Sequence, residues 1–142
     1  FAVLPAGHPL ARRRRLSLAD LSGESWIIGS GAGTCPDAQI VLDQCRGVGF
    51  EPHVAFRSDD YLAIQGFVAA GVGVSLIPNL ALVSVRDDVV VRSLGAKPPS
   101  RLIVAATLEA GWASPAKQAM LEILRAVGEE FAGDRRVLEL AS

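Results

Sequence analysis

The polar residues with the types and spacing to do chemistry gather behind three apolar runs. Trp26-Ile27-Ile28 leads into Gly29, Ser30, Gly31, Ala32, Gly33 and Thr34. His53-Val54-Ala55-Phe56 leads into Arg57, Ser58, Asp59 and Asp60, and residues 72–77 lead into Pro78 and Asn79. A glycine loop that opens onto a helix offers backbone N–H groups and the positive end of the helix dipole, so an anionic group could be held there. Thr34 and Ser58 could add hydroxyl hydrogen bonds. The same residues also suit a bland purpose, in which the glycines permit a tight turn and Thr34 and Ser58 are ordinary helix caps. The loop alone does not separate the two readings.

Other chemistries find less support. A dinucleotide-binding loop places its third glycine where this chain has Thr34, and no lone acidic residue closes the second strand at the usual distance. Gly73-Val74-Ser75-Leu76-Ile77 lacks the closing glycine of a nucleophile elbow. Neither His8, expected to be exposed in a Gly-His-Pro turn, nor His53, at a strand start, has a serine and carboxylate to complete a triad. With 2 Cys and 2 His there is no disulfide framework and no Cys/His metal spacing. The expectation is a protein that is not an enzyme and uses no cofactor and no metal.

Composition narrows the class further. The chain has 142 residues, half of them hydrophobic, which is enough for one substantial core. A net charge of −1 gives no field for phosphates, and the basic run Arg12 to Arg15 reads as a solvated connection, since no stacking aromatic or helix-turn-helix pattern accompanies it. Apolar runs are far shorter than the roughly 20 residues that cross a bilayer, and the first residues do not look like a secretory signal. A soluble protein of a reducing cytoplasm, with no membrane partner, is expected.

The elements that must position these loops follow from the punctuation. Val3-Leu4 ends a strand at Pro5, and Ser17 to Asp20 has capping-box spacing for a short helix. The run at Trp26 is the next strand, and Pro36 suits the first position of a helix that carries Ile40 and Leu42 and stops at Gly47 and Gly49. Residues 53–57 form another strand, Ser58 caps a second helix with Asp59 and Asp60 in its first turn, Gly71 stops it, and residues 72–77 form a third strand. Strands alternating with helices require crossovers, so these three strands should be parallel and buried on both faces. The predicted fold is α/β, a doubly wound, mostly parallel sheet with helices on both faces. Its ligand crevice lies beyond the carboxyl ends of the strands, so Ser30 and Ser58 should share one edge. A short helical stretch after Pro78, a strand at Val89-Val90-Val91, the Pro98-Pro99 linker and a strand over 101–107 follow. A closing helix from Ser114-Pro115 carries Met120, Leu124, Val127 and Phe131 as one apolar stripe. Residues 134–142 read as a tail.

The run Val3-Leu4-Pro5-Ala6-Gly7-His8-Pro9-Leu10, followed by Leu16-Ser17-Leu18-Ala19-Asp20-Leu21, resembles the entry into the second lobe of LysR-type transcriptional regulators. Phe67-Val68-Ala69-Ala70-Gly71-Val72-Gly73-Val74-Ser75-Leu76-Ile77-Pro78 is similar to a helix-to-strand segment of that lobe, and Ser114-Pro115-Ala116 to the start of its closing helix. The resemblance implies a two-lobed effector domain of the periplasmic-binding-protein type, with a small-molecule effector between the lobes. On that basis residues 1–110 are the second lobe with its crossing strands, and residues 111–133 are a helix of the first lobe. DNA would be contacted only through an N-terminal domain absent from this chain, and the parent would be a homo-oligomer. The effector site would draw on Ser30, Gly31, Ala32, Gly33, Thr34, Arg57, Ser58 and Asp59. A periplasmic-type small-molecule binding module unconnected with DNA is the alternative. The resembled family also has a peroxide-sensing branch with a cysteine pair in this region. Here Cys35 and Cys45, ten residues apart, would stand about 15 Å apart on one helix, against the roughly 5.5 Å Cα spacing a disulfide needs. Cys45 is therefore expected in the core, and Cys35, near a helix N-terminus, as the more reactive thiol.

Overall fold

The computed structural model describes residues 1–31, 37–95, 98–100, 102–107 and 114–133. The chain divides into two compact units, one built on Phe1–Ser100 and one spanning Arg101–Arg136.

In the first unit the strands are β1 (Ala2–Pro5), β2 (Arg15–Leu16), β3 (Ser25–Ile28), β4 (His53–Arg57), β5 (Ser75–Leu76) and β6 (Val89–Leu94). Helix α1 (Asp37–Gly47) lies between β3 and β4, and α2 (Tyr61–Ala69) between β4 and β5. β1 runs antiparallel to both β5 and β6, while β2 pairs β6 in parallel and β3 pairs β4 in parallel. A parallel bridge between Trp26 and Val74 joins the two ladders, held by Ile27 N–H to the Val74 carbonyl and Val74 N–H to the Ser25 carbonyl, both 2.8 Å. The spatial order is thus β2-β6-β1-β5-β3-β4. β3, β4 and β5 are parallel as their helical crossovers require, and the antiparallel pairings come from β1.

Side-chain alternation along these strands builds a core on each face. Ala2, Leu4, Trp26 and Ile28 pack with Val41 and Cys45 of α1, while Val3 and Ile27 pack with Ile64 and Val68 of α2. One helix therefore covers each face, the doubly wound arrangement. Trp26 is fully buried, its indole N–H donates to the Leu21 carbonyl at 3.2 Å, and its ring meets Phe50 with centroids 6.0 Å apart. Val41 and Cys45 on α1 are buried, whereas Ile40 is only partly so.

Local chemistry explains the boundaries. Ser17 and Asp20 form the reciprocal capping box expected, on a short 3-10 helix, Leu18–Leu21. α2 ends at Gly71, whose φ of +77° lets its N–H reach the Val68 carbonyl and the Val72 N–H reach the Phe67 carbonyl, the double bond of a Schellman stop. Just beyond, a Cβ on Gly73 would lie 2.4 Å from the Ser25 carbonyl oxygen, so only glycine lets β5 approach β3 there.

Four expectations need correction. β4 is an edge strand with β3 as its partner, so most of its residues are exposed instead of buried on both faces. The cap of α2 is Asp60, two residues later than Ser58; its carboxylate accepts from Leu62 N–H and Ala63 N–H. His8 is partly buried instead of exposed: its Nδ1 accepts from Leu10 N–H at 3.2 Å and its Nε2 meets Glu24 at 3.3 Å. Residues 102–107 form no strand, because no strand among the described residues pairs with them.

The second unit contains α3 (Pro115–Gly133). Met120, Leu124 and Val127 of its stripe are exposed, as is Ile123, and Phe131 is half-buried. Among the described residues, no helix is long and apolar enough to cross a membrane.

Candidate effector site

The carboxyl ends of β3 and β4 lie side by side, with Ile28 opposite Arg57 in the register. The pairing carries on past the strands, where Ser58 N–H donates to the Ile28 carbonyl at 3.0 Å. Ser30 and Ser58 therefore share one sheet edge, as parallel strands demand. β5 is parallel to β3, so Pro78 and Asn79 follow it on that same edge.

Three side chains from the β4 side tie down the loop that follows β3. The Arg57 guanidinium donates through Nη1 to the Gly29 carbonyl at 3.0 Å. The Asp59 carboxylate accepts from Ser30 N–H at 2.8 Å and, through its other oxygen, from the Ser30 hydroxyl. The Tyr61 hydroxyl at the start of α2 donates to the carboxylate of Asp37 at the start of α1. The Ser30 hydroxyl and then its amide hold the Asp59 carboxyl below the usual carboxylate range, so Asp59 is ionised at neutral pH. Gly31, next to the latch, adopts φ +72°, a backbone conformation that favours glycine.

Of the residues expected to form the site, Ser30, Gly31, Arg57, Ser58 and Asp59 are brought together on this edge. Ala32, Gly33 and Thr34 lie outside the described residues, as does Cys35. The first amides of α2 are not free: Asp60 takes Leu62 N–H at 2.8 Å and Ala63 N–H at 3.3 Å. Asp60 satisfies these two donors as a helix cap does. Ser58 uses its hydroxyl to accept from Asp60 N–H at 3.3 Å, orienting the cap without being it. Tyr61 and Asp37 went unnoticed in the sequence; the only signal was that each opens a helix on the same edge.

Other candidate chemistry is accounted for structurally. His53 meets the Ser25 hydroxyl through Nδ1 at 3.3 Å, at the opposite end of the β3–β4 pair. Cys45 is fully buried, and burial, with a lesser push from Glu51, raises its thiol pKa to about 11. A thiol so placed is neutral at physiological pH and poorly nucleophilic. Among the described residues, no group of three or more His, Cys, Asp or Glu side chains is placed to hold a metal ion.

The comparisons with known proteins agree with this architecture. The family described as LysR substrate binding domain matches residues 1–129. The chain belongs to that family. The transcriptional dual regulator GltC of Bacillus subtilis is 33% identical over 83 residues, covering 56% of this chain and 26% of GltC. The regulatory domain of CcmR from Synechocystis PCC6803, solved in complex with 2-PG, superposes with a TM-score of 0.72 at 24% identity, over 89% of this chain and 61% of that one. The BenM effector binding domain with its effector benzoate gives a TM-score of 0.55 at 25% identity, over 62% of this chain and 40% of that one. The chain thus spans about a quarter of the curated relative GltC.

Proposed function

We propose that this chain supplies one jaw of a small-molecule effector site in the regulatory domain of a LysR-type transcription factor. Ser30, Gly31, Arg57, Ser58 and Asp59, together with Ala32, Gly33 and Thr34, form the contacting edge. The observation that carries the reading is the latch between the loops after β3 and β4, which gathers polar groups at the carboxyl edge of parallel strands, where open α/β sheets take their ligands. The effector domains of LysR regulators that resemble this chain include one that carries benzoate. The parent protein acts in the cytoplasm as a homo-oligomer and contacts DNA through a domain outside this chain. The stripe on α3 packs against the other lobe of the same effector domain. No catalytic step is part of this function.

A jaw alone buries only one side of its ligand, and closure on both sides gives such contacts their strength. An effector identified by thermal-shift screening of the parent's complete effector domain should bind that domain at least about a hundredfold more tightly than this chain, a gap of about 2.7 kcal/mol. Arg57→Ala in the complete domain should weaken binding about tenfold or more, the cost of a lost charge-assisted hydrogen bond. Calorimetry giving one affinity for chain and complete domain, or an Arg57→Ala domain with unchanged affinity, would place the site elsewhere.

A further inference from the structure

We propose that Asp59 is a resident competitor in the effector site: its carboxylate occupies the Ser30 amide and hydroxyl, and an effector's anionic oxygen binds there only by displacing it. This inference rests on the effector-site reading above and deepens it, because it names the residue that sets which effector charge the jaw accepts.

Both Ser30 donors point to the two oxygens of one carboxylate, the amide at 2.8 Å to Oδ1 and the hydroxyl to Oδ2. That is the geometry in which a bound carboxylate is held by a loop amide and its own side chain. Asp59 is exposed and contributes nothing to either core, so its position is maintained by these bonds and not by packing. It sits directly after β4, while Ser30 follows β3, and the neighbouring Ser58 N–H bond to Ile28 keeps the two loops in register. The tether therefore presents the carboxylate to Ser30 at an effective concentration in the millimolar range or above, which a free ligand must exceed or outbind. Asp60 and Asp37 lie on the same edge, each already engaged by its own donors, α2 amides for Asp60 and the Tyr61 hydroxyl for Asp37. Arg57 spends at least one guanidinium N–H on the Gly29 carbonyl. An effector with a single weak anion therefore gains little in exchanging one carboxylate for another at Ser30. A ligand that brings a stronger or doubly charged anion, or several simultaneous contacts, is needed to open the latch. Asp59 thereby raises the threshold for simple carboxylates.

The test uses acetate, the free counterpart of the Asp59 side chain, titrated at constant ionic strength into the 142-residue chain and its Asp59→Ala variant, with the Ser30 amide followed by heteronuclear NMR. Because Asp59 is exposed, the variant keeps both cores, and its amide spectrum away from residues 28–31 and 57–61 should be unchanged. Acetate should half-saturate the Ser30 shift at a concentration at least tenfold lower in Asp59→Ala than in the parent chain. Half-saturation at the same or higher concentration in the variant overturns the proposal while leaving the loops as an anion-contacting edge. A Ser30 amide that responds to acetate in neither protein overturns the competitor role and also counts against Ser30 as an effector contact.

Discussion

Replacing Gly73 with alanine is the sharpest test of how β5 is seated. The added Cβ would stand 2.4 Å from the Ser25 carbonyl oxygen, 2.8 Å from its carbon and 3.2 Å from Trp26 N. All three are backbone atoms, so no rotamer change relieves the overlap, and the strands must part by the better part of an ångström. Overpacking of that kind costs about 1–3 kcal/mol. The movement also strains the junction, where Ile27 N–H to Val74 and Val74 N–H to Ser25 are each 2.8 Å, as is the Ser75 hydroxyl bond to the Ile27 carbonyl. Weakening those bonds adds about 1 kcal/mol for each one lost. The expected loss is about 3–5 kcal/mol, a large share of the roughly 5–15 kcal/mol that stabilises a domain. Urea denaturation followed by far-UV circular dichroism measures it, and a Tm lower by roughly 12 °C or more should accompany it. Gly66→Ala is the internal control. It lies within α2 with open space where its Cβ would go, so it should stabilise by about 0.5–1 kcal/mol. A Gly73→Ala loss below about 1 kcal/mol, the range of an ordinary surface change, would refute the claim that β5 and β3 meet backbone to backbone.

Two further outcomes are expected. Gln65 is fully buried, donates to the Ser84 carbonyl at 3.0 Å and accepts from Arg86 N–H at 2.9 Å; Gln65→Leu should cost about 2–4 kcal/mol by stranding both backbone groups and should speed hydrogen exchange at the Arg86 amide, and unchanged exchange there would contradict it. Cys45 has its thiol pKa raised from 9.0 to about 11, so the folded state holds a proton that the unfolded state releases; stability should be full below pH 9 and fall by about 2–3 kcal/mol as the pH rises to 11. A Cys45→Ala protein should lack that part of the alkaline slope in urea midpoints, and native Cys45 should resist iodoacetamide at pH 8.

Much of the frame was legible because glycine, proline and β-branched runs act locally. The Trp26 run, the stop at Gly71 and the capping box at Ser17 each depend on residues within one turn or strand of themselves. The cap of α2 was misjudged because Ser58, Asp59 and Asp60 are all good capping residues in a row, and only the tertiary bond from Asp59 to Ser30 decides that Asp60 takes the helix amides. The exposure of β4 was illegible for a related reason: His53-Val54-Ala55-Phe56 has strand composition, but whether a strand is central or at an edge depends on where the neighbouring strands go. Likewise 102–107 has a strand's residues without a partner strand among the described residues, and hydrogen bonds to a neighbour are what a strand is. The shared edge of the two candidate loops was predictable from topology, since parallel order alone forces it. The tie between Tyr61 and Asp37 was not, as nothing in either residue type signals the other.

The placement of β1 has a consequence for how the protein reaches this structure. Ala2 pairs with Leu76 on one side and Arg92 on the other, so β1 is made before both of its partners and has neither of them until most of the unit has been made. Local pieces such as α1, α2 and their stops can form early, but the central pairing closes the longest loops in the unit, and closures of that kind slow folding. During synthesis the apolar Ala-Val-Leu segment of β1 must wait for β5 and β6, which leaves it open to a chaperone or to a wrong partner. The strand that anchors both cores is then among the last to be locked in place.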